Sequence, residues 1–409
     1  MLGPGLLYAG AAVGVSHLVQ STRAGADFGF ALVGILLLAN AIKYPFFEFG
    51  PRYASATGES LIDGYARLGK WAVWLFALLT LGTMFSIIAA VTAVTSGIFS
   101  SIVQPGMDPV ISFSLILVLN LILLISGRFS MLDGAIKVVI ILLTISTIIA
   151  VAMSAWKGYH PDPAFSQDFQ WTIPAHIFFL IAFVGWMPAP IDVSVWHSLW
   201  SLAKRDSNKE SINLRQSLLD FRIGYIGTAL LALGFLSLGA LVMHGTGIPL
   251  DARGAVFAGQ LISMYTSSIG SWSYALIAAA ALTTMFSTTL TCLDAYPRVM
   301  RPLTSILAGS KQGRISPSTS YRLWLIALAA GSLVLFGLLG STMRFMVDLA
   351  TTLSFVTAPL LAWLNHKVIH SAHVPLDARP PRWLSIYSKA GILFLSLFTA
   401  FYLIWNFAY

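Results

Sequence analysis

The chain has 409 residues, of which 57% are hydrophobic and 10% charged, and its mean hydropathy is +0.80. A soluble domain carries about 25% charged residues, so this balance argues against a soluble globular protein and points to a polytopic membrane protein. A single cysteine, Cys292, excludes a disulfide framework and a cysteine-based metal site, and the formal net charge of +8 falls in loops, where it orients spans rather than recruiting nucleic acid.

Apolar runs long enough to cross a bilayer, about 20 residues each, recur along the whole length. Eleven spans are predicted, near residues 3–27, 29–50, 71–103, 110–127, 131–156, 172–200, 220–244, 269–297, 321–340, 344–369 and 384–407. No polar stretch between them exceeds roughly 30 residues, so residues 1–409 are expected to form one transmembrane unit. The first run lacks a basic leader and a small-residue cleavage site and is read as span 1 itself.

Basic residues orient these spans. The loops after even-numbered spans, with the span ends facing them, carry nineteen Lys and Arg, among them Arg52, Arg128, Lys137, Lys209, Lys311, Arg314 and Arg382. The other side carries four: Arg23, Lys157, Arg253 and Arg344. By the positive-inside rule the N-terminus is expected in the cytoplasm and the C-terminus outside it, in a bacterial-type plasma membrane.

Two spans are expected to break. Span 1 contains GAAVGVSH, with Gly14, Ser16 and His17 in an otherwise apolar run; Gly10 and Gly14 also form a G-x-x-x-G suited to helix packing. Span 6 contains FVGWMPAPIDVSVWHSLW, with Gly185, Pro188 and Pro190 clustered at its middle, where proline removes a backbone donor and clashes with the preceding turn. Span 6 follows span 1 by five spans, an odd number, so a second copy would be inverted relative to the first. Interrupted helices at matching positions of two inverted repeats point to a transport site at the membrane midplane. The repeats are expected at about 1–156 and 172–369, with an extra helix at about 384–407.

At these residues the chain resembles the natural resistance-associated macrophage protein (Nramp) family. Those are LeuT-fold transporters that couple uptake of divalent transition metals to protons. GPGLLYAGAAVGVSHLVQSTRAGADFGF is similar to the family's first span, LLLAN and PRYASATGESL to its second span and the following loop, and His197-Ser198 to the end of its sixth-span motif. The resemblance implies an all-α LeuT-like fold of eleven transmembrane helices, two inverted five-helix repeats, discontinuous helices 1 and 6, and no cofactor.

The family's signature chemistry is replaced. Its span 1 reads D-P-G-N, where this chain has Gly14, Val15, Ser16 and His17. Its span 6 reads A-x-x-M-P-H. Matching Met187-Pro188 to M-P puts Ala189 at the histidine, whereas anchoring on His197-Ser198 puts Met187 at the alanine, Pro190 at the methionine and Asp192 at the histidine; the second needs no insertion. A span 10 glutamine corresponds to Thr351, and the span 3 acidic pair to about Thr83 and Ser86. The resemblance thus assigns Gly14, Val15, Ser16, His17, Met187, Pro190, Asp192 and Thr351 to the cargo site. A metal would find only His17, Asp192 and Met187, a set suited to a transition metal rather than magnesium or calcium.

Ionisable groups inside a membrane are costly and point to function. His17 and Asp192 each follow a predicted break, so a His–Asp pair is a candidate proton site, with His197 a third protonatable group. The alternative for His17 and Asp192 is a buried hydrogen bond that locks the two broken helices together. Lys43 and Glu48 flank Pro45 five residues apart, so they do not stack on one helix face; an ion pair through neighbours and snorkelling both remain open. Asp294 and Asp348 read as packing or interfacial residues. No H-E-x-x-H, Walker lysine or nucleotide loop supports an enzyme, and no repeated filter loop supports a channel. Three readings follow: a metal transporter of altered or lost selectivity, a transporter of a small organic or cationic solute lined by Trp186 and Met187, and a non-transporting binding or sensing protein. The partners expected are the solute and the lipid bilayer. The coupling ion and the oligomeric state are left open.

Overall fold

A computed structural model describes residues 4–127, 129–208, 213–309, 316–339 and 342–408, and every regular element in them is helical. Span 1 is α1 (Pro4–Ala12), a bend at Val13 and Gly14, a π-helical turn (Ser16–Ser21) and α2 (Thr22–Phe28). Then follow α3 (Val33–Thr57), the short α4 (Leu61–Leu68), α5 (Lys70–Val103), α6 (Pro109–Ile125) and α7 (Phe129–Lys157). Span 6 is split into α8 (Pro174–Trp186) and α9 (Val193–Asn208). The rest is α10 (Leu214–Val242), α11 (Gly254–Ile269), α12 (Tyr274–Ala308), α13 (Pro317–Leu338), α14 (Met343–Ile369) and α15 (Arg382–Ala408).

Each expected span carries one helix or a pair of half-helices. Among the described residues seven helices are by themselves long and apolar enough to cross a membrane: those on α3, α5, α10, α12, α13, α14 and α15. Their outward faces are apolar, as at Leu78, Leu230, Leu338 and Leu397, which is what a helix surrounded by lipid requires. Of the basic residues used for orientation, Arg128, Lys209, Lys311 and Arg314 lie outside the described residues, as does the side chain of Lys137.

Apolar lipid gives helices no hydrophobic reason to associate, so close backbone packing matters more than in water. The half-helices use glycine for it. A Cβ on Gly25 of α2 would stand 1.9 Å from the Leu236 carbonyl oxygen of α10, and one on Gly185 of α8 would stand 2.1 Å from the Thr351 carbonyl oxygen of α14. Gly5 against Asp220 and Gly50 against Ser194 bring α1 to α10 and α9 to α3 in the same way. The two broken helices are therefore seated on α3, α10 and α14.

α4 is a short helix of eight residues between α3 and α5. Ser60 caps it by accepting from the Asp63 amide at 3.3 Å, while Asp63 accepts back from the Ser60 amide at 2.9 Å, a reciprocal capping box.

Candidate functional site

The break in span 1 follows from glycine at a helix end. The Val13 amide still reaches the Ala9 carbonyl at 2.7 Å, but the Gly14 amide turns to Ala12 at 2.9 Å, and regular helix stops. The last carbonyls of α1 then need other donors. The Thr288 hydroxyl of α12 faces this end, 3.1 Å from the Gly10 oxygen, 3.3 Å from the Val13 oxygen and 3.0 Å from the Thr284 carbonyl of its own helix. In span 6 the Met187–Pro188 bond is cis, and residues 187–192 are non-helical until Val193.

The two breaks face one small cavity of about 20 Å³, room for a water-sized molecule. Val15 and Ser16 line it from span 1, and Trp186, Ala189, Pro190 and Trp196 from span 6. Ile87 and Val91 of α5, with Thr288 and Cys292 of α12, close it. Among the described residues no carboxylate, imidazole, thioether or basic side chain reaches this lining. Its polar side chains are the Ser16 and Thr288 hydroxyls, the two indoles and the Cys292 thiol; Ser16 already donates to the Ala12 carbonyl at 2.7 Å and the Trp186 indole to Ser354 at 2.8 Å, so the surface facing the cavity is mainly aliphatic and aromatic.

The expected site residues divide. Val15, Ser16 and Pro190 line the cavity. Gly14 sits beside it, where an added Cβ would come within 2.7 Å of Thr288. His17 is fully buried, with Nδ1 2.7 Å from the Ser16 hydroxyl and Nε2 2.9 Å from the Thr228 carbonyl oxygen of α10. Asp192 is 2% exposed, and neither carboxylate oxygen has a hydrogen-bond partner. The structure therefore does not join His17 to Asp192: one ring is occupied elsewhere and the carboxylate is free. Met187 packs in the apolar cluster with Phe183 and Phe355 rather than facing the cavity. Thr351 turns its hydroxyl to the Val347 carbonyl at 2.7 Å. His197 has no hydrogen-bond partner for either ring nitrogen and stacks on Tyr8 at 5.9 Å.

The remaining polar residues resolve as follows. Lys43 does not snorkel: its Nζ donates to the Val184 and Gly185 carbonyls at 2.6 and 2.8 Å. Glu48 pairs with Arg52 at 2.7 Å and Arg222 at 3.4 Å and accepts from the Tyr44 hydroxyl. Asp294 holds Arg298 at 2.7 Å and the Tyr321 hydroxyl at 2.7 Å. Asp348 holds Arg23 at 2.7 Å, tying α2 to α14, with Gln20 bridging at 2.8 Å to Arg23. Thr83 and Ser86 both bond back to their own helix, to Leu79 and Thr83 carbonyls. Among the described residues no group of three or more His, Cys, Asp and Glu comes together as a metal cluster would require.

Sequence reasoning missed the α5 and α12 walls. A signal for α12 was present in TTMFSTTLTC, residues 283–292, a hydroxyl-rich run inside a span.

A family model described as natural resistance-associated macrophage protein-like matches residues 5–406. An uncharacterised protein of Pasteurella multocida is 38% identical over 407 residues, covering 98% of this chain and 91% of that one. Among solved structures, a manganese transporter of Eremococcus coleocola superposes with a TM-score of 0.69 at 14% identity, covering 97% of this chain and 84% of the other. MhsT in complex with L-phenylalanine superposes with a TM-score of 0.65 at 15% identity, covering 98% of each chain. The shared feature is the LeuT-like fold.

Proposed function

Since this chain belongs to the natural resistance-associated macrophage protein-like family, we propose that it is a secondary transporter whose cargo site lies between the breaks of spans 1 and 6. It is a membrane transporter and not an enzyme. The family's cargo is a divalent metal ion; in this chain the selectivity for transition metals is altered or lost. One observation carries that difference: the cavity between the breaks is lined by small, aromatic and hydroxyl-bearing residues, with no carboxylate, imidazole or thioether.

In this reading Val15, Ser16 and Pro190 touch cargo, together with Thr288, Trp186 and Trp196. His17, Asp192 and His197 are the protonatable groups available for coupling. They act singly, because His17 is held by Ser16 and Thr228 while Asp192 and His197 have no hydrogen-bond partners. Spans 1–5 and 6–10 form the inverted repeats, with the N-terminus cytoplasmic and the C-terminus outside.

A second reading, transport of a small organic solute, is favoured by Trp186 and Trp196, which place two indoles on one cavity. Manganese uptake into liposomes holding the purified protein, with and without an inward proton gradient, separates the two. Absence of saturable uptake by folded protein supports altered cargo. Saturable uptake means that a metal site forms in another conformation and overturns the loss of metal selectivity.

A further inference from the structure

The interruption of span 6 leaves two uncompensated helix ends. The carbonyl end of α8 carries partial negative charge and the amide end of α9 partial positive charge. The carbonyl end of α8 meets a buried ionisable side chain of the opposite sign. Lys43 of α3, with no exposed surface, donates to the Val184 and Gly185 carbonyls in the last turn of α8, at 2.6 and 2.8 Å. Asp192 is the residue before α9, and its own carbonyl accepts from the Val195 amide at 2.9 Å and the Trp196 amide at 3.3 Å. Its carboxylate is buried without a hydrogen-bond partner.

Transporters with interrupted helices coordinate cations on unwound carbonyls and half-helix carbonyl ends. Here an ammonium attached to the chain already occupies that place. We propose that Lys43 is the built-in counter-charge for the carbonyl end of α8, so that end needs no ion and the cavity takes a small solute of no net charge. The cavity lining agrees, since it holds hydroxyls and indoles but no acidic or basic side chain. A fixed ammonium next to the break also repels a divalent cation and so acts on selectivity without touching cargo. The word cargo rests on the transport reading; the electrostatic claim does not.

The test is thermal unfolding of purified protein in detergent, with ionic strength held by a bulky organic salt. Lys43→Ala removes the ammonium and leaves space in which a small amine can sit. Methylammonium should raise the melting temperature of Lys43→Ala at a concentration at least about tenfold below any effect on the native chain, and methanol, an uncharged molecule of similar size, should not. Equal response of both proteins to methylammonium, or equal response of the variant to methanol, overturns the counter-charge role and leaves Lys43 a packing residue. Manganese titrated onto the native chain should give no saturable shift; a saturable shift overturns the uncharged cargo. That second arm needs no variant, so the uncharged cargo stays testable even where Lys43→Ala does not fold. Failure of every flux assay would sink the transport reading while leaving both titrations interpretable.

Discussion

Gly185→Ala tests how tightly the α8 half-helix is seated. The new Cβ would stand 2.1 Å from the Thr351 carbonyl oxygen and 2.9 Å from its carbonyl carbon. Real Cβ contacts do not fall under 3.0 Å, and the obstacle is backbone in the middle of α14, so no rotamer change relieves it. α8 and α14 must move apart. Overpacking costs about 1–3 kcal/mol where side chains can adjust, and a backbone clash belongs at or above the upper end, about 3 kcal/mol. The shift also carries Trp186, whose indole donates to Ser354 of α14 at 2.8 Å and lines the cavity. Stability and solute binding should therefore fall together. Gly227→Ala on α10 is the control, since nothing lies within 4 Å of its Cβ position and alanine favours a helix interior by about 1 kcal/mol. The assay is denaturation of both variants in the same detergent, with tryptophan fluorescence as the readout. If Gly185→Ala is as stable as Gly227→Ala, the close approach of α8 and α14 is wrong, and with it the seating of the site.

Other consequences are smaller. Thr288→Val keeps shape but removes the donor to the last carbonyls of α1, which should cost about 1–2 kcal/mol; an unchanged melting curve would mean that water satisfies those carbonyls. Asp348→Asn leaves the Arg23 guanidinium, 7% exposed, without its counter-charge, while Asp348 itself is 37% exposed, so solvent screening reduces the expected loss to about 1 kcal/mol. That loss should shrink as salt rises, and a salt-independent loss would point to packing instead. In the loop before α11, hydrogen bonds from Arg253 hold the Asp251 carboxyl down at about 2. A depressed carboxyl contributes stability that is complete above its ordinary value of about 3.9 and lost as pH falls through about 2. Arg253→Gln should therefore flatten the loss of melting temperature between about pH 4 and about pH 2, and identical acid profiles would contradict the pairing.

The two breaks were readable because glycine and proline act locally. Pro188 and Pro190 forbid regular helix wherever they are packed, and Gly14 weakens it. Which groups meet across a break was not readable. His17 finds the Thr228 carbonyl 211 residues away, and Lys43 reaches α8 across 141 residues. Sequence offered Lys43 an ion pair or the interface; the crossing of α3 over α8 gave it carbonyls instead. A His17–Asp192 pair was expected from two breaks facing one cavity, but a neighbouring hydroxyl satisfies His17 first. Ile87, Val91 and Cys292 carry no sign of a site because cavity-facing and lipid-facing apolar residues look alike in a span. Thr288 differs only in its hydroxyl, and only the bend at Gly14 shows what that hydroxyl is for.

Cys292 offers the most direct test of a cargo site between the breaks. It is the only cysteine of the chain and lies on the cavity wall. The measurement is its rate of reaction with a small water-soluble methanethiosulfonate in liposomes, in the native protein and in Trp186→Ala. Slow reaction is expected in the native chain, clearly faster reaction once the Trp186 indole is removed, and protection by any solute the protein carries. If Cys292 is inert in both folded proteins and reacts only after denaturation, the cavity does not open to water, and the site between spans 1 and 6 is not where cargo binds.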